Sequence, residues 1–201
     1  MTFKQFLTDF IGGLAYPGFD SVGPFDEYLL LDETVRAGDE ANIVDFRITV
    51  RLLKALGYAE NEIRYKTQQK AACPDFVIRI QAYPLRACFV VENKSTATHN
   101  LACHRLQLLG YMSQNRAPRG LLVDGNLILA YDHEESVQTA AIEIPLREAV
   151  SAWRGVSLFA PGKTAKDALE QLDLLPQLAE LWRRYCFTSD PASTGKGPKK
   201  A

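Results

Sequence analysis

The stretch Asp75-Phe-Val-Ile-Arg-Ile-Gln-Ala-Tyr-Pro-Leu-Arg-Ala-Cys-Phe-Val-Val-Glu92-Asn-Lys94 decides how this chain folds. Two apolar runs rich in β-forming residues flank Tyr83-Pro84, and this pattern predicts a β-hairpin that turns at that dipeptide. The turn lies midway between Asp75 and Glu92, so the hairpin sets the two carboxylates opposite each other, with Cβ atoms about 4.5–5.5 Å apart. Lys94 follows Glu92 by two residues and therefore lies on the same face of the strand.

Two carboxylates that face each other across a hairpin repel, and this arrangement has two explanations. In the first, the residues form a solvated strand end, where a Glu–Lys pair contributes little to stability. In the second, the carboxylates hold a divalent cation, because hard oxygen ligands suit Mg²⁺ or Mn²⁺. The nearby lysine would then stabilise an anionic oxygen or help to activate a water molecule.

Residues 40–56 are predicted to form a helix before the hairpin. Apolar residues recur there at helical spacing, and Gly57 follows where a helix end is expected. Glu40 lies in the first turn, after the candidate N-cap Asp39. Negative charge is favoured at this end of any helix, so Glu40 has an ordinary structural explanation besides a functional one.

A second helix is predicted after the hairpin, over residues 99–115. Four polar residues of this segment are three or four positions apart and share one helix face: Asn100, His104, Gln107 and Tyr111. This face is either a satisfied polar stripe or a contact for a nucleic-acid backbone.

The order of the predicted elements indicates the fold class. Besides the hairpin strands near 74–81 and 86–93, strands are predicted near 62–67, 119–124, 126–132 and 139–144. The two helices and the first four strands follow the order α-β-β-β-α-β. This order predicts a mixed α/β fold with a central mixed β-sheet flanked by helices.

These residues together resemble the P-D…(D/E)-x-K nuclease superfamily. The resemblance rests on Glu40 in a helix, Pro74-Asp75, Glu92-Asn93-Lys94 and Gln107-x-x-x-Tyr111, in this order along the chain. The sequence looks most like the N-terminal nuclease domain of type I restriction enzyme motor subunits and like related proteins that fuse a nuclease to a DNA methyltransferase. Asp45 departs from the family pattern, which often has an arginine at this place.

The resemblance implies a restriction-endonuclease-like core and a Mg²⁺-dependent DNA endonuclease that hydrolyses phosphodiester bonds, with Mn²⁺ as a substitute metal. Asp75, Glu92 and the backbone carbonyl of Asn93 would hold the metal. Glu40 would bind it directly or through water. Lys94 would orient or activate the attacking water and support charge on the phosphate.

The same resemblance assigns Gln107 and Tyr111 to positioning the DNA backbone near the scissile phosphate. DNA is therefore the expected partner, together with further domains or subunits of a restriction complex. Two alternatives stay open. One is a catalytically silent DNA- or partner-binding module on the same fold, and the other is a metal-dependent phosphodiesterase that acts on RNA.

Composition limits how the chain would contact DNA. The 201 residues are 47% apolar, carry a net charge of −1 and have a pI near 6.3, so the chain has no overall basic character. Any DNA contact must come from a local patch, whose candidates are the cations Arg64, Lys66, Lys70, Arg105, Arg116 and Arg119. Four widely spaced cysteines and the lack of a signal peptide or a long apolar run favour a cytoplasmic protein without a membrane segment.

Three segments are predicted along the chain. Residues 1–160 form the nuclease domain, and residues 161–187 form a helical extension or a linker, with a helix over 164–187 that Pro176 interrupts. Residues 188–201 are rich in Ser, Gly, Pro and Lys and are predicted to be disordered. A helix followed by such a tail is also what the start of a linker to another domain looks like.

Overall fold

The computed structural model describes residues 1–15, 40–66, 73–80, 87–95, 98–133, 139–159 and 165–187, which contain six β-strands, six longer helices and a short 3₁₀-helix over Glu60–Glu62. The strands are β1 (Ile63–Tyr65), β2 (Phe76–Ile78), β3 (Phe89–Asn93), β4 (Arg119–Val123), β5 (Leu127–Asp132) and β6 (Ile142–Pro145). The helices are α1 (Phe3–Leu7, Thr8–Gly12 and Gly13–Ala15 in continuity), α2 (Glu40–Thr49 and Val50–Ala55), α3 (Leu101–His104 and Arg105–Gln114), α4 (Leu146–Phe159), α5 (Ala165–Gln171) and α6 (Leu175–Tyr185).

The strands form one mixed sheet in the order β1-β2-β3-β4-β5-β6. All neighbouring strands are antiparallel except β3 and β4, which run parallel and are joined through α3. A parallel pair needs such a crossover because its strands cannot be joined by a tight turn. The predicted mixed α/β class, with its sheet flanked by helices, is therefore confirmed.

Alternate residues of the strands face two separate hydrophobic cores. Val91 of β3 belongs to the first core, where α1, α2, α4, α5 and α6 pack against the sheet. Val90 belongs to the second core, where Leu108 and Met112 of α3 cover the opposite face. Because β3 contributes to both cores, all five of its residues are buried, including the polar pair Glu92 and Asn93.

The helices differ from the sequence expectation in two places. The prediction contained no helix between β6 and residue 164, but α4 occupies Leu146–Phe159 and buries Ala149 and Val150. The helix predicted over 164–187 is two helices, and Pro176 lies in the first turn of the second rather than at the break. A proline is tolerated there because the first turn needs no intrahelical N–H donor.

The first part of α2 is π-helical over Glu40–Thr49, and the helix continues as an α-helix. Such wider turns are uncommon and occur frequently at functional sites. The helix predicted over 40–56 is thus observed, in a looser form at its start.

The C-terminal helix packs on the same core as the sheet, since Leu178 and Leu181 of α6 are fully buried there. The domain division at residue 160 stays a prediction. The predicted turn at Tyr83-Pro84 and the predicted tail over 188–201 lie outside the described residues. Among the helices of the described ranges, none is both long and apolar enough to cross a membrane.

Candidate functional site

The candidate site lies where β2 begins and β3 ends. Phe76 of β2 pairs with Val91 of β3, which is the register that the sequence predicted. Continuing this register by one residue sets Asp75 opposite Glu92. Both side chains are almost completely buried, with 3% of Asp75 and 4% of Glu92 exposed. A solvated strand end is therefore the wrong description of this place.

Glu92 is paired with the lysine that the sequence placed beside it. Lys94 Nζ donates to Glu92 Oε1 at 2.6 Å, so the two residues share one face of the sheet as predicted. The backbone N–H of Lys94 donates to the carbonyl of Val123 at 2.8 Å, which extends the parallel pairing of β3 and β4 to this residue. The backbone beneath the ammonium group is therefore held by the sheet.

Asp75 is held by two donors, one on each carboxylate oxygen. The backbone N–H of Asn93 donates to Oδ2 at 2.6 Å, and the ammonium group of Lys66 forms an ion pair with Oδ1. Partial burial lowers the pKa of Lys66, but the hydrogen bond to Asp75 and the charges of Asp75 and Asp45 outweigh it, so the net shift is upward. The sequence proposed Lys66 only as a phosphate contact, and its pairing with Asp75 was missed.

A buried polar network joins α2 to the end of β3. The side-chain amide of Asn93 donates to Asp45 Oδ1 at 2.6 Å, and its oxygen accepts from the Thr49 hydroxyl at 2.9 Å. The Tyr65 hydroxyl donates to the second oxygen of Asp45 at 2.7 Å. Burial raises the pKa of Asp45, while the hydrogen bonds from Asn93 and Tyr65 oppose that rise.

Asp45, the residue that departs from the family pattern, thus accepts two hydrogen bonds of the buried network, one from Asn93 and one from Tyr65. Asp45 is 0% exposed and lies on α2, the helix that begins at Glu40. The sequence marked Asp45 as an exception but contained no signal that would pair it with Asn93, 48 residues away.

The polar stripe of α3 lies close to Lys94. Gln107 Nε2 donates to the Tyr111 hydroxyl at 2.9 Å, and Gln107 is exposed while Tyr111 is only 8% exposed. Burial and the positive charge of Lys94 lower the pKa of His104, while its hydrogen bond with Gln107 acts in the opposite direction. Gln107 is therefore the accessible member of the predicted DNA-positioning pair, and Tyr111 supports it from the second core.

Other predicted site residues lie elsewhere or are not described. Glu40 begins α2, but its side chain lies outside the described residues, as do Asp39 and Lys70. Arg119 forms an ion pair with Asp132 at 3.2 Å, and it also donates to the carbonyl of Arg184 at 2.5 Å. Arg119 is thus part of the packing of α6 on the sheet.

The side chains present suit a hard divalent cation. The donors are the carboxylate oxygens of Asp75 and Glu92, the hard ligands that such a cation prefers, and each of these two groups has a lysine ammonium group beside it. Among the described side chains, no group of three or more Asp, Glu, His or Cys is positioned to hold a metal ion. A third protein ligand would come from the Asn93 carbonyl or from Glu40.

Known proteins resemble this chain only weakly. No protein-family profile matches the sequence, and no curated protein is significantly similar to it. Among solved structures, a chain in a cryoEM structure of a DrdV–DNA complex matches with 13% sequence identity and a TM-score of 0.34. The match covers 68% of this chain and 99% of that chain.

Proposed function

We propose that this chain is a Mg²⁺-dependent DNA endonuclease of the restriction-modification type. The observation that supports the proposal is the buried pair of Asp75 and Glu92 at adjoining strand ends, with Lys94 2.6 Å from Glu92. Two carboxylates and a lysine are the groups that metal-assisted phosphodiester hydrolysis needs: oxygen ligands and a positioned cation. The α-β-β-β-α-β order around them agrees with the family that the motifs resemble.

The residues of the chain take the following parts in this proposal. Asp75, Glu92 and the Asn93 carbonyl hold Mg²⁺, with Glu40 as a direct or water-mediated ligand. When bound, the metal lowers the pKa of its water and neutralises charge on the phosphate. Lys94, oriented by Glu92, stabilises negative charge on the phosphate or orients the attacking water.

The α3 stripe supplies the contact to the nucleic acid in this proposal. The exposed amide of Gln107 binds the DNA backbone, and the Tyr111 hydroxyl holds that amide in place at 2.9 Å. Tyr111 therefore acts through Gln107, because only 8% of its surface is open to a ligand.

Plasmid cleavage tests the proposal. The purified chain is incubated with supercoiled DNA in the presence of Mg²⁺, Mn²⁺ or a chelator, beside Asp75→Asn, Glu92→Gln and Lys94→Met. We expect metal-dependent nicking or cutting by the wild type and a loss of at least about a hundredfold in each variant, since each removes a ligand or a charge-stabilising group. Circular dichroism checks that the variants are folded.

The exposed ion pair of Lys54 and Glu60 offers matched controls. Its atoms are 3.3 Å apart and its side chains are 55% and 85% exposed, so Lys54→Met and Glu60→Gln repeat the same chemical changes on a pair outside the site. Both controls should cut like the wild type. Undiminished cutting by the three site variants would refute the proposal, and faster cutting of RNA than of DNA would support the phosphodiesterase alternative.

A catalytically silent binding module is the second candidate function. The observation that favours it is that each carboxylate already has a lysine ammonium group as its partner. A silent module would bind DNA in a mobility-shift assay without cutting it under any metal condition. Loss of that binding in Gln107→Ala, with no cutting by the wild type, would support this function over the nuclease.

A further inference from the structure

Lys66 occupies the Asp75 oxygen that a metal ion would need. Asp75 Oδ2 already accepts the Asn93 backbone N–H at 2.6 Å, and Oδ1 is paired with the Lys66 ammonium group. The pairing is reinforced by the backbone, because the N–H of Lys66 donates to the Asp75 carbonyl at 2.8 Å. Lys66 directly follows β1. Continuing the β1–β2 register by one residue sets Lys66 opposite Asp75.

The two lysines of the site differ in how deeply they lie. The side chain of Lys66 is 31% exposed, against 16% for Lys94, and Lys66 follows the edge strand of the sheet. Asp75 itself is 4% exposed at its side chain. The long side chain of Lys66 can therefore turn towards solvent, while the carboxylate stays where Asn93 holds it.

We propose that Lys66 is a built-in counter-ion that competes with the divalent cation for Asp75, so that metal binding displaces the Lys66 ammonium group from the carboxylate. The reason is electrostatic: a buried carboxylate needs a positive partner, and two cations on the same oxygen repel each other. Lys66 is therefore a positioning residue that is the ion-pair partner of the Asp75 carboxylate before the metal binds. This inference rests on the proposed metal site.

Titration with Mn²⁺ alone tests the inference without any nuclease assay. Mn²⁺ binding is measured by calorimetry for the wild type, Lys66→Met, Lys66→Gln and the control Lys54→Met. We expect both Lys66 variants to bind Mn²⁺ about tenfold more tightly than the wild type, because the competing charge is gone. Lys54→Met should bind like the wild type. Adding Asp75→Asn to Lys66→Met should abolish the gain.

Unfolding midpoints provide a second measurement. Without metal, Lys66→Met should be less stable than the wild type, because Asp75 stays buried without its cation. Saturating Mn²⁺ should raise the midpoint of this variant more than that of the wild type, since the metal binds the folded state more tightly there. Lys66→Gln, which keeps a hydrogen-bond donor, preserves the test if Lys66→Met fails to fold.

The possible outcomes separate this inference from the metal site on which it rests. Mn²⁺ binding by the two Lys66 variants, with no measurable binding by the wild type, would support the inference in its strongest form. Equal or weaker binding by both Lys66 variants, with Asp75→Asn still reducing wild-type binding, would overturn the inference and leave the metal site standing. No Mn²⁺ binding by the wild type or by either Lys66 variant would overturn both.

Discussion

Asn93 makes two separate sets of contacts at the end of β3. Its backbone N–H holds Asp75, and its side chain joins Asp45 and Thr49, both of which are 0% exposed. We expect Asn93→Ala to lower the free energy of unfolding by about 3 kcal/mol, because it leaves a buried carboxylate oxygen and a buried hydroxyl without their partner. Urea denaturation followed by circular dichroism measures this loss.

Two further variants serve as comparisons for the loss of stability predicted for Asn93→Ala. Thr49→Val removes only one neutral donor and should cost about 1 kcal/mol. Asn100→Ala changes an exposed asparagine whose side chain makes no capping hydrogen bond, and should cost almost nothing. A loss in Asn93→Ala no larger than in Asn100→Ala would contradict the network as the source of stability.

At the scale of one element, α6 is held to the sheet by charged groups as well as by apolar contacts. Arg184 forms ion pairs with both Asp132 of β5 and Glu180 of its own helix. The hydrogen bond from Arg183 lowers the pKa of Glu180 to about 2, burial opposes this shift, and Arg184 adds to it. The stability from Glu180 is therefore present above its ordinary pKa of 4.5 and is lost as pH falls towards 2.

Glu180→Gln should accordingly lower the free energy of unfolding by about 1 kcal/mol at neutral pH. The difference from the wild type should shrink as the pH is lowered from about 5 towards 2, because the carboxylate takes up a proton in the unfolded state at a higher pH than in the folded state. Urea midpoints across this range measure it. The control is Glu170→Gln on α5, whose pair with Lys166 is 3.4 Å long and more exposed. A loss in Glu180→Gln that does not change with pH would contradict the electrostatic explanation.

At the scale of the whole molecule, α6 and the sheet share the first core, and this packing predicts a single unfolding transition. Leu181 is fully buried in that core, so Leu181→Ala should cost about 2–5 kcal/mol. The chain has two tryptophans, Trp153 on α4 and Trp182 on α6, and both pack against the first core. Fluorescence of the single-tryptophan variants Trp153→Phe and Trp182→Phe should report coincident midpoints, both lowered by Leu181→Ala.

Leu172→Ala is the matched control for this prediction, because Leu172 is 46% exposed and its loss should change stability by less than about 0.5 kcal/mol. If the Trp182 signal changed at lower urea than circular dichroism, α6 would unfold by itself. Such a result would support the division into a domain over 1–160 and a separate helical extension.

The sequence by itself determined what depends on neighbouring residues along the chain. Apolar runs rich in β-forming residues located the hairpin strands, and a helical period located α2 and α3. A turn midway between Asp75 and Glu92 predicted the register of β2 and β3, because the strand period is two. The same period put Lys94 beside Glu92. A sequence signal for α4 was also present in Leu146, Ala149, Val150 and Trp153, although it was missed.

Only the tertiary structure decided which distant side chains complete the site. Asp45 and Thr49 come to Asn93 from a different helix, and Lys66 comes to Asp75 from a different strand. These pairings depend on how separate elements pack. Packing decides which polar groups are buried next to each other, and buried polar groups need hydrogen-bond partners. No local period or turn encodes that choice, so only the fold shows which distant residues surround the two carboxylates.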